Sequence, residues 1–231
     1  MKTPSSLLLA GLAMAAVATQ SVTAQIRITE VAPWSSGNSP VAADWFELSN
    51  FGSSAVNISG WTIDDDSNNP NSALLSGVTT INPFESVIFI ELAAGGNATT
   101  LKNSFITEWF GGVAPLGLQI GTYTQGVAGG VGFGTGGDKV NIFNGPAGTL
   151  QASVTFGTSD GVAPYQTFDN ALGLNNATIS QLSVVGVNYA FLAANGNEIG
   201  SPGVVPEPTA LSLGAVGLLG LIFRPRVASR R

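Results

Sequence analysis

Between residues 26 and 203 the chain is interrupted every few residues. Short runs rich in Val, Ile, Thr and Phe alternate with clusters of Gly, Asn, Ser and Pro. Runs of that length, bounded by turn formers, fit strands better than amphipathic helices. The expected strands are 26–31, 44–51, 60–64, 86–91, 139–144, 150–156, 179–183 and 188–192. The clearest hairpin pairs 139–144 with 150–156: Val140 and Ile142 alternate with Lys139, Asn141 and Phe143, and Asn144-Gly145 supplies a turn tolerant of positive φ. Pro146 and the residues after it make that loop longer than two residues. One short helix or turn is expected at 103–110. The Gly-rich, nearly uncharged stretch 111–137 reads as a long surface excursion. Neither a repeat nor a linker divides this middle region, so one antiparallel β domain is expected. Ile28, Phe46, Leu48, Trp61, Ile88, Ile90, Val140 and Ile142 are placed in or beside its core.

Composition removes whole classes of chemistry. The chain has no Cys and no His, which excludes disulfides, thiolate nucleophiles, Cys/His zinc sites and His-based triads. Between 26 and 208 three bases (Arg27, Lys102, Lys139) stand against all 14 acids, a net charge of −11. A region so acidic offers no basic face to nucleic-acid phosphates.

Both ends read as addresses. At the start, Lys2 precedes an apolar run from Leu7 to Ala18, and Val22-Thr23-Ala24 puts small residues where a signal peptidase reads. Cleavage between Ala24 and Gln25 is expected, giving a signal peptide of 1–24 and a domain of 25–204. The last segment, 205–231, holds Pro206-Glu207-Pro208, an apolar stretch at 209–223, and four Arg within eight residues. Fifteen residues form roughly 22 Å of helix at ~1.5 Å per residue. That is short of a ~30 Å hydrocarbon core but able to span with snorkelling Arg and local thinning. The Arg cluster would hold the C-terminus in the cytoplasm and the domain outside.

Val-Pro-Glu-Pro-Thr at 205–209, the Gly/Leu-rich run and the Arg-rich end together resemble the PEP-CTERM sorting signal of Gram-negative bacteria; Pro225 is a small departure from an unbroken Arg run. The resemblance implies recognition by an exosortase-type membrane protease that cuts near Pro206, Glu207 and Pro208. It also implies transient anchoring in the inner membrane and delivery to the cell surface or an exopolysaccharide matrix. The middle region resembles the lamin-tail domain, an immunoglobulin-like β-sandwich. The match is carried by Ile28-Thr-Glu-Val31, Asp44-Trp-Phe-Glu-Leu-Ser-Asn50, Val56-Asn-Ile-Ser-Gly-Trp-Thr-Ile-Asp64, Gly137-Asp-Lys-Val-Asn-Ile-Phe143 and the closing Ser201-Pro-Gly203. It implies attachment to a polysaccharide or protein. The region 93–137 departs from it, being longer and richer in Gly than a compact domain of this type.

Three groups of residues are candidate sites. Glu30 and Glu47 fall on neighbouring strands, with Asp44 close by, and two carboxylates suffice for a glycosidase. The resemblance instead places them in the structural motif, and no catalytic residue is assigned. The run Asp64-Asp65-Asp66-Ser67-Asn68-Asn69 offers the densest oxygen ligands and is the candidate calcium site, although its spacing is not that of an EF-hand. Its other reading is an Asx-rich turn. Among the four tryptophans burial is the favoured reading, since large aromatics dominate sandwich cores; Trp61 is expected in the core, while Trp34 and Trp45 are the candidates for an exposed sugar-stacking face. The Gly-rich 126–137 lacks the Gly-Lys-Ser/Thr and helix of a phosphate loop, and that reading fails. The expected function is thus an exported, non-catalytic surface or matrix protein, with a carboxylate-dependent, metal-assisted hydrolase as the alternative.

Overall fold

A computed structural model describes residues 25–34, 41–124 and 131–204. The signal and sorting segments, with Ala24, Pro206, Glu207, Pro208 and 209–223, lie outside the described residues. Among the described residues no helix is long and apolar enough to cross a membrane.

In chain order the elements are β1 (Ile26–Ala32), β2 (Trp45–Asn50), β3 (Val56–Asn57), β4 (Thr62–Asp64), β5 (Ala73–Ser76), β6 (Thr80–Ile81), β7 (Ser86–Leu92), α1 (Ala98–Phe110) and β8 (Gln119–Thr124). They continue with β9 (Asp138–Phe143), β10 (Leu150–Phe156), β11 (Tyr165–Gln166), β12 (Phe168–Asp169), β13 (Ala177–Ile179), β14 (Phe191–Leu192) and β15 (Glu198–Gly200). Ten strands form one sheet in the order β12-β1-β2-β7-β8-β5-β4-β9-β10-β13. The sheet folds over so that β1 lies near β10. Its two halves enclose one apolar core, where Ile28, Phe46 and Leu48 meet Trp61, Val140, Ile142, Val154 and Phe156. That sandwich-like closure, and the hairpin of β9 and β10 with Asn144 Oδ1 accepting from the Thr149 amide at 2.7 Å, match the sequence reading.

Three expectations are corrected. The sheet is not wholly antiparallel: β7–β8 and β10–β13 run parallel, as does β11–β15 in a separate three-stranded sheet of β11, β15 and β14. A parallel neighbour requires a crossover, and α1 lies in the chain between β7 and β8. The helix is also longer than 103–110. Asn97 caps its first turn, accepting from the Thr100 amide at 3.0 Å. Gly111, in the left-handed region, and Gly112 return amides to Thr107 and Ile106 and end it. Ile88 and Ile90 are buried, as expected, but on the outer face of the sheet in a second core with Phe105 and Trp109 of α1.

The third correction concerns 111–137, which is not all surface. Strand β8 lies between β7 and β5, and Gly121 pairs with Phe89. A β-carbon at Gly121 would collide with the Phe89 ring and come within 2.7 Å of the Ser76 carbonyl oxygen. Glycine is there to let the ring lie flat across the neighbouring strand, which no propensity scale registers. Gly121→Ala is expected to cost about 1–3 kcal/mol through overpacking, read as a lower denaturation midpoint at unchanged slope.

Candidate functional site

The polar features of this fold gather on the outer face of β1 and β2. A bulge in β1 between Ile28 and Glu30 inserts Thr29 into the ladder. The extra residue resets the alternation, so that Ile28 and Val31 both join the inner core while Glu30 is left opposite Glu47. Both glutamates are buried. Thr29 Oγ1 donates to Glu47 Oε1 at 2.6 Å and shares a 2.7 Å hydrogen bond with Ser49 Oγ, which is 2.6 Å from Ser86 Oγ.

The lid of this polar seam is the end of the domain itself. The Ser201 amide donates to Glu30 Oε1 at 2.8 Å, and the Gly203 amide donates to Glu47 Oε2 at 2.6 Å. Ser86 Oγ donates to the Val204 carbonyl at 2.8 Å. Thr167 Oγ1 donates to the same Glu30 oxygen at 2.5 Å and shares a hydrogen bond with Ser183 Oγ. Gly203 takes φ +77°, and a β-carbon there would run into Leu118, so the tight approach needs glycine. Two opposed carboxylates therefore clasp two amides of the closing segment, two residues apart.

Burial pushes both carboxyls up. Glu30 rises to about 7, through loss of solvation, offset in part by its hydrogen bonds from Thr167 and Ser201. Glu47 is pushed well above the usual carboxylate range by burial first and by the neighbouring Glu30 second. A hydrolase needs two acids facing a substrate across an open cleft. Here the chain's own peptide groups occupy the carboxylates. Glu47 reaches the wall of one pocket of about 190 Å³, lined by Thr29, Leu172, Asn188, Tyr189, Ser201 and Val204.

Trp34 and Trp45 are not exposed: each is 0% accessible, which overturns the stacking-face expectation. They form an aromatic box with α1. Trp34 stacks on Trp109 at 6.5 Å, and Trp45 meets Trp109 and Phe105 edge-on at 5.6 and 5.5 Å. The reason is the second core. Strand β2 is buried on both faces, so the outward Trp45 is covered by a helix where a two-layer sandwich would leave it in water.

The acidic run behaves as a turn. Asp64 is buried and its Oδ2 accepts from Ser67 Oγ at 2.8 Å and from the Asn69 amide, while Asp65 Oδ1 accepts from the Ser67 amide at 2.8 Å. Asp66 is exposed. Among the described residues no three acidic side chains gather around a possible metal position. The site thus joins Glu30 and Glu47, as the strand pairing predicted, but leaves Trp34, Trp45 and Asp64–Asp66 apart. Sequence reading missed Thr167, Tyr189 and the clasping role of Ser201 and Gly203; only the Ser-Pro-Gly motif hinted at the last.

These features define an immunoglobulin-like β-sandwich elaborated by a crossover helix and closed by its own C-terminal segment. The chain belongs to the Lamin Tail Domain family, whose model matches residues 19–158. The match ends before the clasp at 201–203. No curated protein and no solved structure gave a significant match.

Proposed function

We propose that the chain is an exported attachment module: cut after Ala24, held in the inner membrane by 209–223, then released near Pro206–Pro208 by an exosortase-type protease. Outside the cell its sandwich binds exopolysaccharide or a matrix protein without turning it over. The observation that carries the non-catalytic reading is the clasp, because the two acids best placed for hydrolysis hold the Ser201 and Gly203 amides. Family membership supports a binding module, and the lack of His and Cys narrows the catalytic alternatives.

The test uses the protein recovered from the outside of producing cells. Intact mass should correspond to a chain that starts at Gln25 and ends near 206–208; a mass that includes Phe223 and the Arg cluster overturns the processing. The same material goes onto a glycan array and into matrix pull-downs, with and without calcium. Binding without turnover is expected. Turnover abolished by Glu47→Gln would establish the hydrolase instead, and binding that needs calcium and fails in Asp65→Asn would make the acidic turn a metal site.

A further inference from the structure

The described chain ends at Val204, and several of its most exposed apolar side chains surround that point. On one side Gly203 and Ser86 line a depression with Phe84, Pro115, Leu116 and Leu118. Leu116 there is 106% exposed. On the other side Val204 lines the 190 Å³ pocket with Leu172, 82% exposed, and Tyr189, 61% exposed. The two hollows share consecutive residues of the closing segment, so the apolar side chains flank the place where the chain leaves the sandwich. The charged groups on these rims are Glu47, buried in the clasp, and Glu85, whose carboxylate accepts from Asn82 and Gln119. Single exposed apolar residues need no explanation, but a set gathered at one point marks a contact surface.

The position of the exit identifies the contact. Five residue steps separate Val204 from Thr209, where the apolar stretch begins. Fully extended, they reach at most ~18 Å at ~3.3–3.6 Å per residue. With 209–223 in a bilayer, the exit face therefore stands against the lipid headgroups. The domain, 25–204, has 13 acids against three bases, a net charge of −10; it has no electrostatic attraction to anionic lipid, so contact there must come from apolar and aromatic side chains. Tyr and Leu are suited to the interface, the one by its polar tip and the other by its apolar bulk.

We infer that the face around Val204, carried by Leu116, Leu172 and Tyr189, rests on the lipid surface while the chain is anchored. This rests on the membrane-anchored stage of the proposed function. The clasp at Ser201 and Gly203 fixes the direction in which the chain leaves, so the domain is held in one orientation above the bilayer and the Pro-Glu-Pro motif is kept close to the membrane.

The test exploits the absence of cysteine. Leu116→Cys, Leu172→Cys and Tyr189→Cys, all at exposed positions, each carry one polarity-sensitive dye on the chain from Gln25 to Arg231 in phosphatidylcholine vesicles. Ala94→Cys is the control: it is exposed and lies beyond the far end of β7 from Ser86, a strand about 20 Å long at ~3.3 Å per residue. Flotation first establishes that the chain is in the vesicles. Brominated phosphatidylcholine should then quench the dyes at 116, 172 and 189 and leave the one at 94 bright. A chain that floats while all four dyes quench equally, or none does, overturns the docking and leaves the anchor standing. A chain that does not float overturns both.

Discussion

Replacing Trp45 by alanine is expected to lower the unfolding free energy by about 3–5 kcal/mol, the range for removing a large buried aromatic side chain. Trp45 is inaccessible to solvent and touches Trp109 and Phe105, both on α1, as well as Trp34. Its loss empties the centre of the second core and leaves the buried face of α1 without its main partner. For a chain of this size the change corresponds to roughly 6–20 °C in melting temperature. The near-ultraviolet circular dichroism of the tryptophan cluster should weaken with it. Trp45→Phe, which keeps most of the volume, should cost much less. A Trp45→Ala protein that melts with the parent would show that the helix is not held by this box.

The second large effect is on pH dependence. Glu30 and Glu47 both have carboxyls raised by burial, Glu30 to about 7 and Glu47 well above its usual range. A folded-state value above the unfolded one means that the native protein binds more protons between the two. Stability from these groups is therefore fully present below about 4.5 and is lost as pH rises through about 7, with Glu47 extending the loss upward. For Glu30 the difference corresponds to roughly 3 kcal/mol at ~1.4 kcal/mol per unit. Denaturant titrations at pH 5, 7 and 9 should show the domain most stable at pH 5. Glu30→Gln keeps an oxygen to accept from Thr167 and Ser201 and removes the charge, so it should flatten the profile and gain most at pH 9. A parent protein whose stability rises steadily from pH 5 to 9 would contradict this account.

Much of this protein was legible in its residues. Alternation of Val140 and Ile142 with Lys139 and Asn141, then Asn-Gly before 150–156, defined a hairpin because side-chain direction in a strand has period two. The placement of Ile28, Phe46, Leu48, Val140 and Ile142 in the core followed from the same rule. That Glu30 and Glu47 lie on neighbouring strands was also expected; the bulge that sets them opposite one another was not. Tertiary packing decided the rest. Gln119–Thr124 carries β formers in Ile120, Thr122, Tyr123 and Thr124, lost in the Gly-rich surroundings, and only the packing shows that Gly121 lets it lie beside Phe89. Alternation correctly put Trp45 and Glu47 on the face away from Phe46, but not what covers that face. A helix brought over the sheet by a parallel crossover turned Trp45 from a surface residue into a core one. The roles of the two glutamates were settled by residues more than 150 positions away. A sequence shows which face a carboxylate leaves the strand on, whereas its charge, partners and accessibility depend on which distant segment folds over it.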